Sequence, residues 1–323
     1  MQTYNQDRRG MSRRDFVLGS AAAGAAMTGL SLARSAHAAG SDVIRVGLVG
    51  CGGRGVARTL EFLETPMVHC PESMATYVPE EKLLFSMDAF GQHYATSQRF
   101  DDELPLPAVM AEAKKYYANI VMPFGKPVRK VLEKLAQLPL AMIAPAHGVI
   151  WRTHWQTILD AYAQWAECRP KAKVLVVFDT MWESTTQMAE AIVEGAVAEG
   201  VEVMPMHVRR TELTRIATEV LDCAAVALGS STLNRGPMPA VAAVLSYLEG
   251  LRPVGKAAMA FGSYGWGKGA PEAIDAWIDR LPWQKVREPL RCQYRPTPDV
   301  LDQCRAAGRL LAQKAKELAS KAG

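Results

Sequence analysis

The 323 residues contain no C-x-x-C pair: the six cysteines stand apart at positions 51, 70, 168, 223, 292 and 304. That spacing offers no cysteine-bound iron cluster and favours free thiols over a disulfide framework or a local zinc site, although an even number leaves disulfides open. Charge of one sign is also scarce. Of the formal +4, residues 1–38 carry +3, from five arginines against Asp7 and Asp15, which leaves about +1 for the remainder. A near-neutral body has no electrostatic footprint for nucleic acid, so no nucleic-acid partner is expected. Low-complexity tracts are absent, and 49% hydrophobic with 22% charged residues is the composition of a soluble globular chain. The length suffices for two domains.

Residues 12–38, "SRRDFVLGSAAAGAAMTGLSLARSAHA", place Arg13-Arg14 before a run of small apolar residues that ends at Ala36-His37-Ala38. Paired arginines, apolar core and A-x-A exit in that order are those of a twin-arginine export signal over 1–38. The run is too short and too small in side chain for a stable membrane span. If the signal is used the protein is periplasmic or exported; otherwise it is cytoplasmic.

Over 39–60, "VIRVGLVGCGGRGVAR" sets Gly50, Gly52 and Gly55 in G-x-G-x-x-G spacing between a strand and the start of a helix, which reads as the beginning of a Rossmann unit. Residues 11–58 resemble exported dehydrogenases of the glucose–fructose oxidoreductase-like family, which implies NAD(P) chemistry. A second strand ending in an acidic residue should follow; Glu72 stands at the right distance but after no strand. An inactive joining of two gene fragments is a further alternative.

Residues 61–168 read as a hairpin "MATYVPEEKLLFSMDAF", two helices broken at Pro123 and Gly125, a strand "LAMIAPAHG" ending at His147, and a helix "THWQTILDAYAQWAE" capped by its threonine. The stretch resembles the metallo-β-lactamase-like domain of flavodiiron proteins, oxygen and nitric oxide reductases. It carries P-M-x-H-x-P-[DE]-S-M, F-S-x-D-A-F-G-Q-H and A-P-x-H-G-x-I-W-R. The resemblance implies iron ligation by His69, Asp88 and His147. The family's remaining ligands lie in H-x-E-x-D-H, which occurs nowhere in these 323 residues, so the di-iron site is expected to be incomplete. His93 and His154 read as surface or supporting residues.

From 169 to 323, strand and helix patterns alternate through five β-α units, which predicts a doubly wound five-stranded parallel sheet. The overall class is therefore α/β, with an incomplete metallo-β-lactamase-like segment before this sheet. Ligands of such sheets lie at the carboxyl ends of the strands, where three loops stand here: "DTMWESTT", "GSSTLNRGPMP" and "GSYGWGKGAPE". Their order and spacing resemble the flavin mononucleotide (FMN) loops of a flavodoxin domain, more narrowly that of flavodiiron proteins. The first holds hydroxyl and acidic side chains but no lysine or arginine. Hydroxyls of Thr180, Ser184 and Thr185, with N–H groups at a helix start, suit a phosphate that never reacts. Glu183 stands where the family commonly has glycine or asparagine. Trp182, Tyr264 and Trp266 are candidates to stack on the flavin ring, Asn234, Gly262 and Ser263 to bond its edge, and Lys268 to sit nearby. Met181, Ser231, Thr232, Leu233 and Gly265 complete the expected contact set. The resemblance implies FMN-dependent electron transfer, a rubredoxin-like or flavin-reductase electron donor, and a head-to-tail homodimer.

Overall fold

The computed structural model describes residues 43–46 and 58–322. The twin-arginine segment and Gly50, Gly52 and Gly55 lie outside the described residues.

A first sheet is built from β1 (Val43–Val46), β2 (Arg58–Glu64), β3 (Met74–Val78), β4 (Leu83–Phe85) and β5 (Met142–Ala144), in that spatial order. The β1–β2, β2–β3 and β3–β4 pairs are antiparallel, and β4–β5 is parallel. This corrects the expected Rossmann start. A dinucleotide unit gives its first strand a parallel neighbour, whereas β1 pairs antiparallel with β2. In "RTLEFLE" the stretch Thr59–Phe62 alternates polar and apolar residues, the period of a half-buried strand. The expected hairpin at Pro79–Glu81 is present between β3 and β4.

Helices α1 (Leu106–Tyr116) and α2 (Gly125–Leu135) are joined by a wider π-turn over Tyr117–Val121 and a tighter 3-10 turn over Met122–Phe124 that contains Pro123, whose ring removes an N–H donor. The strand before His147 stops at Ala144, so His147 lies in a loop instead of at a strand end. Helix α3 (Trp155–Ala166) starts without a side-chain cap. Thr153, expected as that cap, donates its hydroxyl to Asp102 at 2.8 Å.

The second sheet contains β6 (Lys171–Asp179), β7 (Glu202–His207), β8 (Cys223–Leu233), the short β9 (Gly236–Pro237), β10 (Ala257–Tyr264), β11 (Gln284–Lys285) and β12 (Leu290–Gln293). The main strands run parallel in the order β7-β6-β8-β10, with β11 and β12 both on the far side of β10. The fifth strand of the expected sheet is thus in two pieces, split around Pro289. Between strands lie α4 (Ser184–Val197), α5 (Leu213–Asp222), α6 (Pro239–Leu251) and α7 (Ala270–Ile278); α8 (Pro298–Ala322) closes the chain.

Successive residues of β6 serve opposite faces. Val174, Val176 and Phe178 pack with Met188, Ile192 and Leu311 of α4 and α8. Leu175 and Val177 enter a core that continues through Ile216 and Leu248 to Tyr117, Ile143, Trp151 and Tyr162 beside the first sheet. Both faces of the parallel sheet are covered, as its near-continuous apolar strands require. Close approach of α4 to α8 depends on Gly195 and Gly308: a Cβ on either would stand 2.0 Å from a carbonyl oxygen of the facing helix, Arg305 or Ile192.

Hydrogen bonds join the two sheets' helices. Lys114 Nζ donates to Asp222 at 2.8 Å, Asn119 Nδ2 donates to the Thr214 carbonyl at 3.1 Å, and the Tyr247 hydroxyl donates to Asn119 Oδ1 at 2.8 Å.

Candidate functional site

The carboxyl ends of β6, β8 and β10 are knotted by hydroxyls. Thr185 Oγ1 lies 3.0 Å from Ser231 Oγ and 2.9 Å from Ser263 Oγ, and these two are 3.3 Å apart. Met181 N–H donates to Ser231 Oγ at 3.1 Å. Ser230 Oγ accepts the N–H of Met238 at 2.8 Å, which turns the second loop back toward α6. Thr232 Oγ1 accepts the N–H of Ala270 at the start of α7. The sequence reading aimed Thr185 at a phosphate; the structure buries it as the hub that holds three loops together.

Behind the first loop, Asp179 is buried at the last position of β6. Its Oδ1 accepts the Thr180 N–H at 2.8 Å and Arg209 Nε at 2.7 Å, while Arg209 Nη2 donates to the Thr180 carbonyl at 2.5 Å. The guanidinium therefore bridges the Asp179 carboxylate and the Thr180 carbonyl with charge-assisted hydrogen bonds. Glu183 has φ 61 and ψ 0 and caps α4 with no side-chain hydrogen bond. Left-handed backbone at this position favours glycine or asparagine, and the uncapped helix start leaves N–H groups directed outward. Thr180 and Thr186 each have a buried hydroxyl oxygen without a protein partner.

These loops enclose a cavity of about 720 Å³, within the roughly 300–1,000 Å³ of cofactor pockets. Met181, Trp182 and Ser184 line it from the first loop; Ser231, Thr232, Leu233 and Asn234 from the second; Ser263, Tyr264, Gly265 and Trp266 from the third. Of the residues expected here, Thr180, Glu183, Thr185 and Gly262 do not line it. Trp182 is 84% exposed and Trp266 96% exposed, on the first and third of these loops. Large aromatic surface left in water beside a cavity marks a face that awaits a flat partner.

Four lining residues escaped the sequence reading: Arg235, Gly267, Tyr294 and Arg295. Tyr294 is delivered by β12, where its N–H donates to the Tyr264 carbonyl at 2.8 Å. The two arginines correct the impression of a site without positive charge, since tertiary structure brings them in from outside "DTMWESTT". Lys268 Nζ stands 5.7 Å over the Tyr264 ring. Ser184 at the start of α4, the side chains of Trp182, Tyr264 and Trp266, and Asn234 fit an FMN phosphate, ring and edge, while Thr180, Thr185 and Gly262 take no part in the lining.

A second cluster lies at the first sheet. Asp88 sits between two histidines, its Oδ2 3.3 Å from His69 Nε2 and its Oδ1 3.2 Å from His147 Nε2. Their loops are held in register by Ala146 N–H to the Met87 carbonyl at 2.7 Å and by Gln92, whose amide bonds Val149 in both directions. Trp151 Nε1 donates to the Phe90 carbonyl, and the Phe90 N–H to the Tyr162 hydroxyl, each at 2.8 Å. Tyr116 packs on His93 and His147; burial, then the nearby Asp88 and Cys70, push its phenol pKa well above the ordinary value. His154 instead belongs to a separate bond with Asp101 at 2.8 Å. The structure thus unites the three expected iron ligands, but they do not fit a di-iron centre. Two ions require more donors than three side chains, and only one group of three candidate ligands, His69, Cys70 and Asp88, occurs among the described residues.

Comparison with known proteins agrees with both halves. A flavodoxin family model matches residues 176–308, and an ODP family beta lactamase model matches 53–148. A nitric oxide reductase of Moorella thermoacetica is 45% identical over 260 residues, 80% of this chain and 65% of that protein. The rubredoxin oxygen:oxidoreductase of Desulfovibrio gigas superposes with a TM-score of 0.79 at 35% identity, over 81% of this chain and 66% of that one. The flavodiiron protein of Giardia intestinalis gives a TM-score of 0.80 at 38% identity, over 82% and 66%. The chain spans about two thirds or less of the length of the relatives it matches.

Proposed function

Because the chain shares its flavodoxin-like parallel sheet and metallo-β-lactamase-like region with the flavodiiron proteins, we propose that it carries electrons on FMN held at the carboxyl edge of β6, β8 and β10. A flavodoxin domain implies FMN. The cavity between Trp182 and Trp266 is the observation that carries this reading. Bound there, FMN supplies one- and two-electron redox chemistry.

The protein's residues divide the work of holding it. N–H groups at the start of α4 and the Ser184 hydroxyl take the phosphate, in the favourable field of the helix end. Arg235 and Arg295 offset its charge at the cavity rim. Trp182, Tyr264 and Trp266 cover the ring and exclude water, and Asn234 with the Gly265 backbone bonds its edge. The Thr185–Ser231–Ser263 knot and the Arg209 clamp keep the three loops at fixed separation.

Electrons arrive, in this reading, from a rubredoxin-like protein or a flavin reductase, because the chain has no C-x-x-C cluster of its own. They leave to a partner and not to a di-iron centre in the same chain, and a head-to-tail pairing of two copies is the proposed assembly. The twin-arginine segment would direct export. No helix among the described residues is long and apolar enough to cross a membrane.

The test is an absorption spectrum and flavin count on purified full-length protein. One FMN per chain is expected; a well-folded but colourless protein that ignores added FMN overturns the reading. A finer check concerns Glu183, which holds the left-handed position just before α4. Glu183→Gly relieves left-handed strain and removes about 1 kcal/mol of repulsion, so FMN should bind about fivefold more tightly in a fluorescence-quenching titration. Unchanged or weaker binding would place Glu183 away from the phosphate.

A further inference from the structure

The first sheet is apolar on both faces, but among the described residues only one of them enters a core. Strand register assigns the faces. Leu63, Ala75, Tyr77, Leu84 and Ile143 share the side that packs with the helices. On the opposite side, Phe62, Thr76, Phe85 and Ala144 form one row across β2 to β5, with Val78, Leu83 and Met142 in a second row beside it. None of these side chains belongs to either core, nor does Met74 at the corner. Phe85 is 47% exposed and Met74 42%. Strands "MATYV", "LLF" and "MIA" carry apolar residues in consecutive positions, the pattern of strands covered on both faces, whereas a strand with one wet face alternates. We propose that this open face pairs with the same face of a second copy of the chain, sheet upon sheet.

Charge selects the occupant. The two rows hold no ionisable side chain, so a partner bearing charge there would desolvate it against a surface that offers no counter-charge. A second copy brings an equally apolar and uncharged face. Glu64 stands at a corner, beside Met74. Stacked sheets keep their strands within about 30° of each other, so a two-fold axis between the faces runs close to along or across the strands. Either axis carries the two Glu64 corners roughly 14–20 Å apart, beyond the Debye length of about 8 Å.

Size sets the strength. Four strands about 4.8 Å apart and the seven residues of β2 at about 3.4 Å each give a face of roughly 19 by 24 Å. Two such faces bury about 900 Å², less than the roughly 1,200–2,000 Å² of a permanent pair. The association is therefore of the weak, concentration-dependent class. The face shares no residue with the cavity between the three loops, so this pairing stands apart from FMN binding and adds to a head-to-tail assembly without replacing it.

Sedimentation velocity of the full-length protein, from low to high micromolar concentration, tests the proposal. The mass of the smallest species should double as concentration rises. Phe85→Glu should raise the concentration of half-association by more than about 100-fold, since each pair loses two phenyl rings and gains two buried carboxylates. Its unfolding temperature serves as the folding control, and Met74→Glu takes its place if that control fails. Leu213→Glu, at an exposed apolar side chain on α5, should leave the doubling intact. Mass that neither rises with concentration nor falls in the Phe85 variant, doubling that persists in a folded Phe85→Glu, equal loss in Leu213→Glu, or a different polypeptide held in fixed ratio on this face would each overturn the proposal.

Discussion

Asp222→Ala should lower the unfolding temperature by roughly 6–10 °C, from a loss of about 3 kcal/mol. Asp222 ends α5 and is buried among three lysines: Lys173 Nζ at 2.5 Å, Lys114 Nζ at 2.8 Å and Lys171 Nζ at 3.1 Å. Lys173 is only 3% exposed, so the substitution strands an ammonium that retains Glu219 at 2.9 Å as its remaining acidic partner. It also cuts the link from α1 to α5, and with it one of the bonds between the two regions. Thermal unfolding followed by circular dichroism measures the shift; a change under 2 °C would show that the cluster contributes nothing net.

The same cluster sets a pH dependence. Burial opposes ionisation of Asp222, but Lys114 and Lys173 outweigh it and hold the carboxyl far below its ordinary range. A depressed carboxyl contributes stability that is complete above its unfolded pKa, near 4, and is lost as the pH falls below that. Burial likewise lowers Lys173, yet Asp222 and Glu219 raise it to about 12. Its contribution is therefore complete below its ordinary value near 10.5 and disappears as the pH climbs toward 12. Asp222→Asn should flatten the acid side of the stability profile.

The double variant Trp182→Ala/Trp266→Ala should bind FMN about 100-fold more weakly. Each indole supplies roughly 1–1.5 kcal/mol of ring contact beyond the area it buries, and 2.7 kcal/mol in total is about a factor of 100. Without cofactor both side chains lie almost wholly in water, so the apoprotein should keep its unfolding temperature, with a stability change within about 0.5 kcal/mol. Loss of affinity without loss of stability separates a cofactor contact from a structural one. Should affinity hold, the two tryptophans cover something other than the flavin, and the cavity's assignment fails with them.

Much of this site is legible in the chain itself. β6, β8 and β10 announce themselves as apolar runs bounded by helix patterns, because strands covered on both faces cannot alternate in polarity. Trp182 and Trp266 stand out because a loop gives no burial to justify so large a side chain. Other features are invisible along the chain. Thr185 is spaced as a phosphate ligand, yet its hydroxyl turns inward to Ser231 and Ser263, residues 46 and 78 positions away. Arg235, Tyr294 and Arg295 reach the cavity only because β12 pairs beside β10 and the second loop folds over it. The glycine spacing at 50–55 suggested a nucleotide finger, but the return of β2 against β1 reassigns the adjoining strand to the first sheet.

By itself the sequence determined the parallel sheet, the three loops at its carboxyl edge and the presence of His69, Asp88 and His147, since each follows from local period or a contiguous motif. Tertiary structure alone decided the charge of the cavity, the inward turn of Thr185 and the lysine clamp on Asp222. Those are properties of distance between residues far apart in the chain. Only packing of the two cores brings such groups within a few ångströms, where hydrogen bonds, ion pairs and metal ligation act.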